Sequence, residues 1–430
     1  MFDTSVPAVL LRIDPNPFHH GTLGAVRSLG RTGVDVHVVA ASAGSPVRRS
    51  RFLSGEHPPP GPDASLAEIG ATLRRVSASV AGPAVLIPLD DAGAIAVSRL
   101  RDELLTRYLL PDQPDGLTER VADKAQLPAL CEAAGIAHPA TVVPDGAEGA
   151  RRAVRDLGAP VVAKWSRPWL IPPDSGLRST LVVHSEQEAA ALYERAEEAG
   201  SRLLLQTYLP AGEGRDWFFH GHVDRRGVVR GGGAGCKHRS WPRGAGLTTV
   251  GRWTANPELE ALVDRLVAAL GYRGILDVDF RVDARTGRYC LLDFNPRPGA
   301  QFRLFADGSG LDVVRALHLD LTYRQPPVAR AAPGRTFVVE NYAPVSALRS
   351  LARAALPSLP SQRGARMRGE LAWYSGDDPM PGIAMTGLWC RHVAGRLLRP
   401  APVPPARTEA PPAVTTLDAT PVKDEEKASC

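Results

Sequence analysis

The stretch from Ile275 to Gly299, ILDVDFRVDARTGRYCLLDFNPRPG, constrains this chain more than any other. Its alternation has period 2 on either side of Arg285-Thr286-Gly287-Arg288. That is the pattern of two strands joined by a tight turn, with Gly287 in the left-handed position of a bulged hairpin. On the first strand Leu276, Val278, Phe280 and Val282 share one face, and Asp277, Asp279 and Arg281 the other. On the second, Cys290, Leu292 and Phe294 alternate with Asp293 and Asn295. Asp279 and Asp293 lie side by side if the bulge supplies the register. Carboxylates placed so repel one another and are costly to bury unless a cation neutralises them. Hard oxygen ligands beside an amide suit magnesium or manganese, whose usual further ligand is a phosphate. Arg297 adds a fixed positive fork able to grip a phosphoryl group. The competing reading is an ordinary hairpin with solvated outer acids, where a lone Asp usually belongs. Here one face collects all the polar groups, which favours a metal–nucleotide site.

Lysine usage points the same way. Lys and Arg total 51, yet only five are Lys, at 124, 164, 237, 423 and 427. A chain that writes nearly every cation as Arg keeps three lysines ahead of its last ten residues. Lysine is a compact point charge that can lie against a phosphate without the planar demands of a guanidinium. Lys124 follows Asp123, which reads as an N-cap with Gln126 three residues on, a capping box opening a helix toward Gly135. Lys164 ends the apolar run Pro160-Val161-Val162-Ala163, a short strand.

With these residues the chain resembles the ATP-grasp superfamily, in its carbamoyl-phosphate-synthase-like and amino-acid-ligase-like branch. The last metal motif of that family, Glu-x-Asn-Pro-Arg, stands here as Asp293-Phe294-Asn295-Pro296-Arg297. Both family glutamates are shortened to Asp, at 279 and 293. The resemblance implies that Asp279, Asp293 and Asn295 hold magnesium or manganese and that Lys124 and Lys164 bind the phosphates of ATP. It implies that Leu203 to Pro210 is the adenine hinge, with Gln206, Thr207 and Leu209 at the base, and that Glu213 binds the ribose hydroxyls. The segment Arg230-Gly-Gly-Gly-Ala-Gly235 with Lys237 and Arg239 reads as a flexible cationic strand, which in this branch faces the carboxylate being activated. A solvated basic loop is the alternative. Residues 165–180, WSRPWLIPPDSGLRST, depart from the family's glycine-rich lid over the triphosphate. Ser175, Gly176, Ser179 and Thr180 are the lid candidates, and Arg167, Trp169 and Arg178 suggest added substrate contacts.

The implied activity is ATP-dependent ligation of a carboxylate to an amine through an acyl phosphate, with Arg297, Arg239 and Lys237 stabilising the reacting groups. Ammonia or a carbonate-derived species in place of an amino acid stays within that chemistry. Two rivals come from other classes. Residues 1–112 read as a Rossmann-like α/β unit, with strands at Val6–Ile13, Val34–Ala40 and Val85–Leu89 and a helix at Gly24–Leu29, which an NAD-dependent oxidoreductase would use. Its loop His20-Gly21-Thr22-Leu23-Gly24 lacks the three-glycine fingerprint, and no acid ends the second strand. His19 and His20 are candidates to reach the acceptor substrate. The second rival is a nucleotide-binding module that has lost turnover.

The expected organisation is α/β and α+β: the Rossmann-like unit, an ATP-grasp body at 113–330, an accessory region at 331–399 and a disordered, Pro- and Thr-rich tail at 400–430. The accessory region reads as a strand at Phe337–Val339 and helices near 345–356 and 383–398. At 44% hydrophobic and 23% charged residues the composition is that of a water-soluble chain. The net charge of +5 is spread without an aromatic–basic stripe, so no nucleic-acid partner is expected. Five dispersed Cys without a CxxC pair argue against a disulfide framework or zinc cage and for a reducing cytoplasm. No signal peptide and no apolar run of 18 residues is present. The partners expected are therefore small carboxylates and amines, with a homodimer the default oligomer.

Overall fold

The computed structural model describes residues 1–40, 44–61, 63–241, 246–327, 331–343 and 369–397. The helix expected near 345–356 and the tail at 400–430 lie outside them. A compact unit runs from Met1 to Trp389, and everything that bears on the site belongs to it.

Near the N-terminus five short strands, β1 (Ala8–Leu11), β2 (Val36–Val39), β3 (Gly55–His57), β4 (Ala84–Pro88) and β5 (Tyr108–Leu109), form a parallel sheet in the order β3-β2-β1-β4-β5. β1 is fully buried, as a parallel strand covered on both faces should be. The first helix spans His20–Gly30, starting four residues before the expected Gly24. The side chain of His19 caps it by accepting from the Thr22 N–H, so the supposed glycine loop is its first turn. His20 is buried against Phe337 and Trp373 and is a core residue rather than a substrate contact. Gly21 and Gly24 are small because Ala300 and Arg303 cross them: an added Cβ would lie 2.9 Å from Ala300 Cα and 2.9 Å from Arg303 Nε. The turn where a dinucleotide would rest is thus occupied by the chain itself.

Two further sheets follow. β6 (Thr141–Val142), β7 (Val161–Trp165), β8 (Thr180–Val183) and β9 (Leu203–Thr207) form an antiparallel sheet, β6-β9-β7-β8. The large sheet orders β10 (Asp216–Val223), β11 (Val229–Trp241), β12 (Leu247–Trp253), β13 (Gly274–Val282), β14 (Tyr289–Asn295), β15 (Thr336–Val338) and β16 (Gly369–Leu371) as β14-β13-β10-β11-β12-β15-β16. One of its faces packs on the amphipathic helix Pro257–Leu270, where Leu259, Val263, Leu266 and Val267 meet Val278, Phe280, Leu291 and Phe294 in one core. The other face turns its polar side chains toward the small sheet and the carboxyl ends of β1 and β4.

The glycine run on β11 is strand, not flexible loop. Gly235 lies under the ring of Phe218, where an added Cβ would be 2.5 Å from Cζ, and Gly233 lies under Trp253. Gly232 takes φ +97° at the irregularity between Gly221 and His222 on β10. The glycines let aromatic rings lie flat on the sheet.

Candidate functional site

A cavity of about 820 Å³ opens between the three sheets. Its most charged wall is the β13–β14 hairpin. Gly287 has φ +69° in the turn, and Asp279 pairs directly with Asp293. The expected bulge is present: register shifts between Asp279 and Phe280, and Phe280 pairs with Leu291. The extra residue corrects one assignment. Leu291, not Leu292, joins Phe294 in the core, and Leu292 lines the cavity. A bulge gives adjacent residues the same side, which is how Leu292 leaves the apolar face.

Lys124 and Lys164 converge on Asp293. The Lys124 ammonium pairs with Oδ1. Lys164 Nζ lies 3.2 Å from the same oxygen and donates to the Leu292 carbonyl at 2.9 Å. Lys164 is 5% exposed, and a buried charge costs several kcal/mol unless matched. Burial, then the neighbouring Lys124, lowers its pKa against the pull of Asp293. Burial would raise the pKa of Asp293, but the two ammonium groups outweigh it and hold the carboxyl well below its usual range. The environment of Lys124 differs from the expected capping box. Asp123 ends the helix Leu117–Ala122, Gln126 precedes the helix Leu127–Ala133, and Lys124 sits in the turn between them. Asp123 instead accepts from Ala125 N, Gln126 Nε2 and Arg167 Nε. Arg167 is thereby turned away from the cavity.

Across the bulge, Asp279 pairs with Lys237 Nζ at 2.7 Å. Its pKa is raised by burial and by the carboxylates of Asp277 and Asp293, against Lys237. Burial would lower the pKa of Lys237, but Asp279, Asp277 and Asp216 together raise it. Arg239 does not join it. Irregularities on β11 on either side of Arg239 break the alternation, so Arg239 is exposed and Ser240 reaches the cavity in its place.

Arg297 is held by two carboxylates that the sequence reading did not assign: Asp91 Oδ1 at 3.2 Å from Nε and Asp277 Oδ2 at 3.1 Å from Nη1. Asp277 lies opposite Asn295, whose Nδ2 donates to it, leaving the amide oxygen as the ligand-capable atom. Its other oxygen lies 3.0 Å from Nε2 of the buried His220 on β10. Burial opposes ionisation of Asp277, yet His220 and Arg297 bring its pKa down to about 2. Two signals pointed to these residues: Asp277 shares the acidic face of its strand, and Asp91 follows a parallel strand's carboxyl end, where open α/β sheets collect ligands.

The far wall is the hinge. Gln206, Thr207 and Leu209 all line the cavity, and Gln206 Nε2 is anchored on Thr141 Oγ1 at 2.9 Å. Glu213 is exposed and lies outside the lining, as does Arg178. Pro168 to Pro172, in part a single 3-10 turn, border the opening with Ser179 and Thr180. Proline and apolar side chains thus stand on this rim where a glycine-rich lid would offer backbone N–H groups.

Two carboxylates and one amide oxygen are hard donors that suit magnesium or manganese, which complete their shells with water and phosphate oxygens. Among the described residues no group of three or more His, Cys, Asp or Glu is arranged as a metal cage. Nor is any described helix long and apolar enough to cross a membrane.

No protein-family profile matches the chain. It is similar to a D-aspartate ligase of Enterococcus faecium (strain Aus0004), 22% identical over 254 residues that cover 56% of this chain and 59% of that protein. Among solved structures it is similar to an L-amino acid ligase from Bacillus licheniformis (TM-score 0.56, 14% identity, 78% of this chain and 79% of that one). It is also similar to biotin carboxylase from Campylobacter jejuni in a complex with a β,γ-ATP ligand (TM-score 0.58, 15% identity, 77% and 74%).

Proposed function

Because this chain carries the ATP-grasp fold, we propose that it catalyses ATP-dependent joining of a carboxylate to an amine. One observation carries the reading: Lys124 and Lys164 converge on Asp293, directly opposite Asp279, inside a nucleotide-sized cavity. In free solution such an array would be electrostatically wasteful. It becomes useful when a triphosphate takes over the two ammonium groups and a divalent cation takes over the carboxylates.

In this reading Gln206, Thr207 and Leu209 seat the adenine, and Glu213 is the candidate for the ribose hydroxyls. Asp279, Asp293 and Asn295 would hold magnesium or manganese, which supplies charge neutralisation at the phosphates. Lys124 and Lys164 neutralise the phosphoryl oxygens as a substrate carboxylate oxygen attacks the γ-phosphorus and the bond to the β-phosphate oxygen breaks. Lys237 orients that carboxylate, and Arg297, held in place by Asp91 and Asp277, faces the developing oxyanion. An amine then attacks the acyl carbon, loses a proton and displaces phosphate. Arg239 enters only if β11 rearranges. Residues 113–330 supply the two subdomains that clasp the nucleotide, and residues 1–112 form the Rossmann-like unit ahead of them.

The similarity to a D-aspartate ligase makes both enantiomers of aspartate the first acids to assay. The test is magnesium-dependent ADP release across a matrix of amino acids, small carboxylates and amines, with the condensed product weighed by mass spectrometry. ADP release that requires both substrates, with an amide product, supports ligation. Nucleotide binding without release for every pair would instead favour a binding module.

A further inference from the structure

Arg12 follows β1 at the carboxyl edge of the parallel sheet and borders the cavity. It is 5% exposed. Nη1 donates to the Asn16 carbonyl at 2.5 Å. Nη2 is ion-paired at 3.1 Å with Oδ2 of the largely exposed Asp14, off the line of a well-aligned hydrogen bond, and Nε has no hydrogen-bond partner among the described residues. Those two nitrogens form one edge of the guanidinium plane, the edge that receives a carboxylate through two parallel hydrogen bonds. Buried donors left unmet are costly, and in Arg12 two of them share one edge beside the cavity. Arg27 and Arg303 each leave one nitrogen unmet, but neither borders the cavity.

The neighbours of Arg12 are already committed. Asp90 accepts from the N–H groups of Ile13, Asp14 and Gly93. Asp91 is taken by Arg297. His19 caps its helix, and burial, together with the charges of Arg12 and Arg297 on either side, keeps it neutral. This end of the cavity therefore presents a cationic edge met, among the described residues, only by the largely exposed Asp14, beyond the groups assigned to ATP, metal and oxyanion.

We propose that Arg12 binds a second carboxylate, carried by one of the two substrates away from its reacting group. The proposal rests on the ligation reading and narrows it to a dicarboxylic acid donor or an acid-bearing amine. The edge-on fork selects a planar, two-oxygen anion over a neutral amide of the same shape, which would leave one N–H facing an NH₂.

The test uses the full chain with magnesium and a non-hydrolysable ATP analogue, titrated calorimetrically with two series. Succinate and glutarate against their monoamides probe the donor; amino acids against amino-acid amides probe the acceptor. The wild type is expected to prefer the second carboxylate by roughly 30-fold or more in one series, since truncating one member of a buried charge pair has effects of that size. The series that shows the preference identifies the source. Arg12→Gln should abolish it and still bind the analogue, and Arg12→Lys should keep part of it. An unchanged preference in Arg12→Gln, or no preference in either wild-type series, overturns the proposal. ADP release is scored in parallel: release without a preference sinks this inference alone, and no release with any pair sinks the ligation reading as well.

Discussion

Two buried clusters of opposite charges in this molecule use the same side chains to different ends. In the first, Arg27 Nε meets Asp378 Oδ2 at 2.9 Å, with side-chain exposures of 0% and 2%. Arg27 Nη2 donates to the Asp378 carbonyl, while the carboxylate also accepts from Ser50 Oγ and Arg51 N. Every oxygen of Asp378 is satisfied, and it does not line the large cavity. In the second, Lys124 and Lys164 share one oxygen of an Asp293 that is 25% exposed, on the wall of an 820 Å³ space. The first pair fastens the segment ahead of the helix Met380–Leu397 to the helix His20–Gly30. The second holds charges near one another that an incoming ligand can redistribute. Whether a buried ion pair is a rivet or a site depends on what lies beside it, not on the pair.

Substitutions should separate the two. Asp378→Ala leaves Arg27 buried and unpaired, so unfolding in urea should show a loss of about 3–5 kcal/mol, with the KM for ATP of the folded fraction unchanged. A KM shift comparable to the stability loss would blur the distinction. Asp293→Ala should reduce ADP release by roughly 10² to 10³-fold, the range for removing one electrostatic contact in a transition state, while the protein still folds by circular dichroism.

Acid unfolding sharpens the same contrast. Asp277 has its pKa lowered from 3.8 to about 2. A depressed carboxylate contributes stability fully above its unfolded pKa, and that contribution disappears as pH falls from about 4 to about 2. It is on the order of 2 kcal/mol. Asp279, shifted upward, acts in the opposite sense, because protonation relieves the burial of its charge and its repulsion by Asp277 and Asp293. Asp277→Asn should therefore be less stable than wild type at pH 7, and the difference should shrink toward pH 2. A constant difference across that range would assign the loss to packing. The smallest effects belong to the two assigned residues outside the cavity. Arg239→Ala should change kcat by less than about threefold, and Glu213→Ala should act on the KM for ATP alone, as expected of exposed polar contacts.

What the sequence revealed follows the range of the interactions concerned. The hairpin was legible because alternation, a glycine turn and two acids sit within 25 residues, and even the bulge was implied by the need to align Asp279 with Asp293. The lysines stood out through their rarity. Leu292 was misassigned because a bulge shifts parity by one, and period-2 reading carries no signal for where that shift falls. Arg239 was drawn into the site by the resemblance, which sets its segment against the activated carboxylate, and removed by irregularities that flank it. The start of the first helix was missed because His19, rather than a Ser, Thr, Asp or Asn, supplies the cap. Asp91 meets the hairpin only through the packing of separate sheets, 206 residues away in the chain, His220 meets it through the pairing of β10 with β13, and Arg12 reaches the same cavity from the parallel sheet; no local pattern announces such contacts.

The central claim is that divalent cation and triphosphate separate charges which otherwise pair with one another. A crystal structure with magnesium and a non-hydrolysable ATP analogue tests it directly. The account predicts metal bound to Asp279, Asp293 and Asn295, with Lys124 and Lys164 moved from Asp293 onto phosphate oxygens. Metal and nucleotide lodged elsewhere, with both lysines still on Asp293, would contradict it.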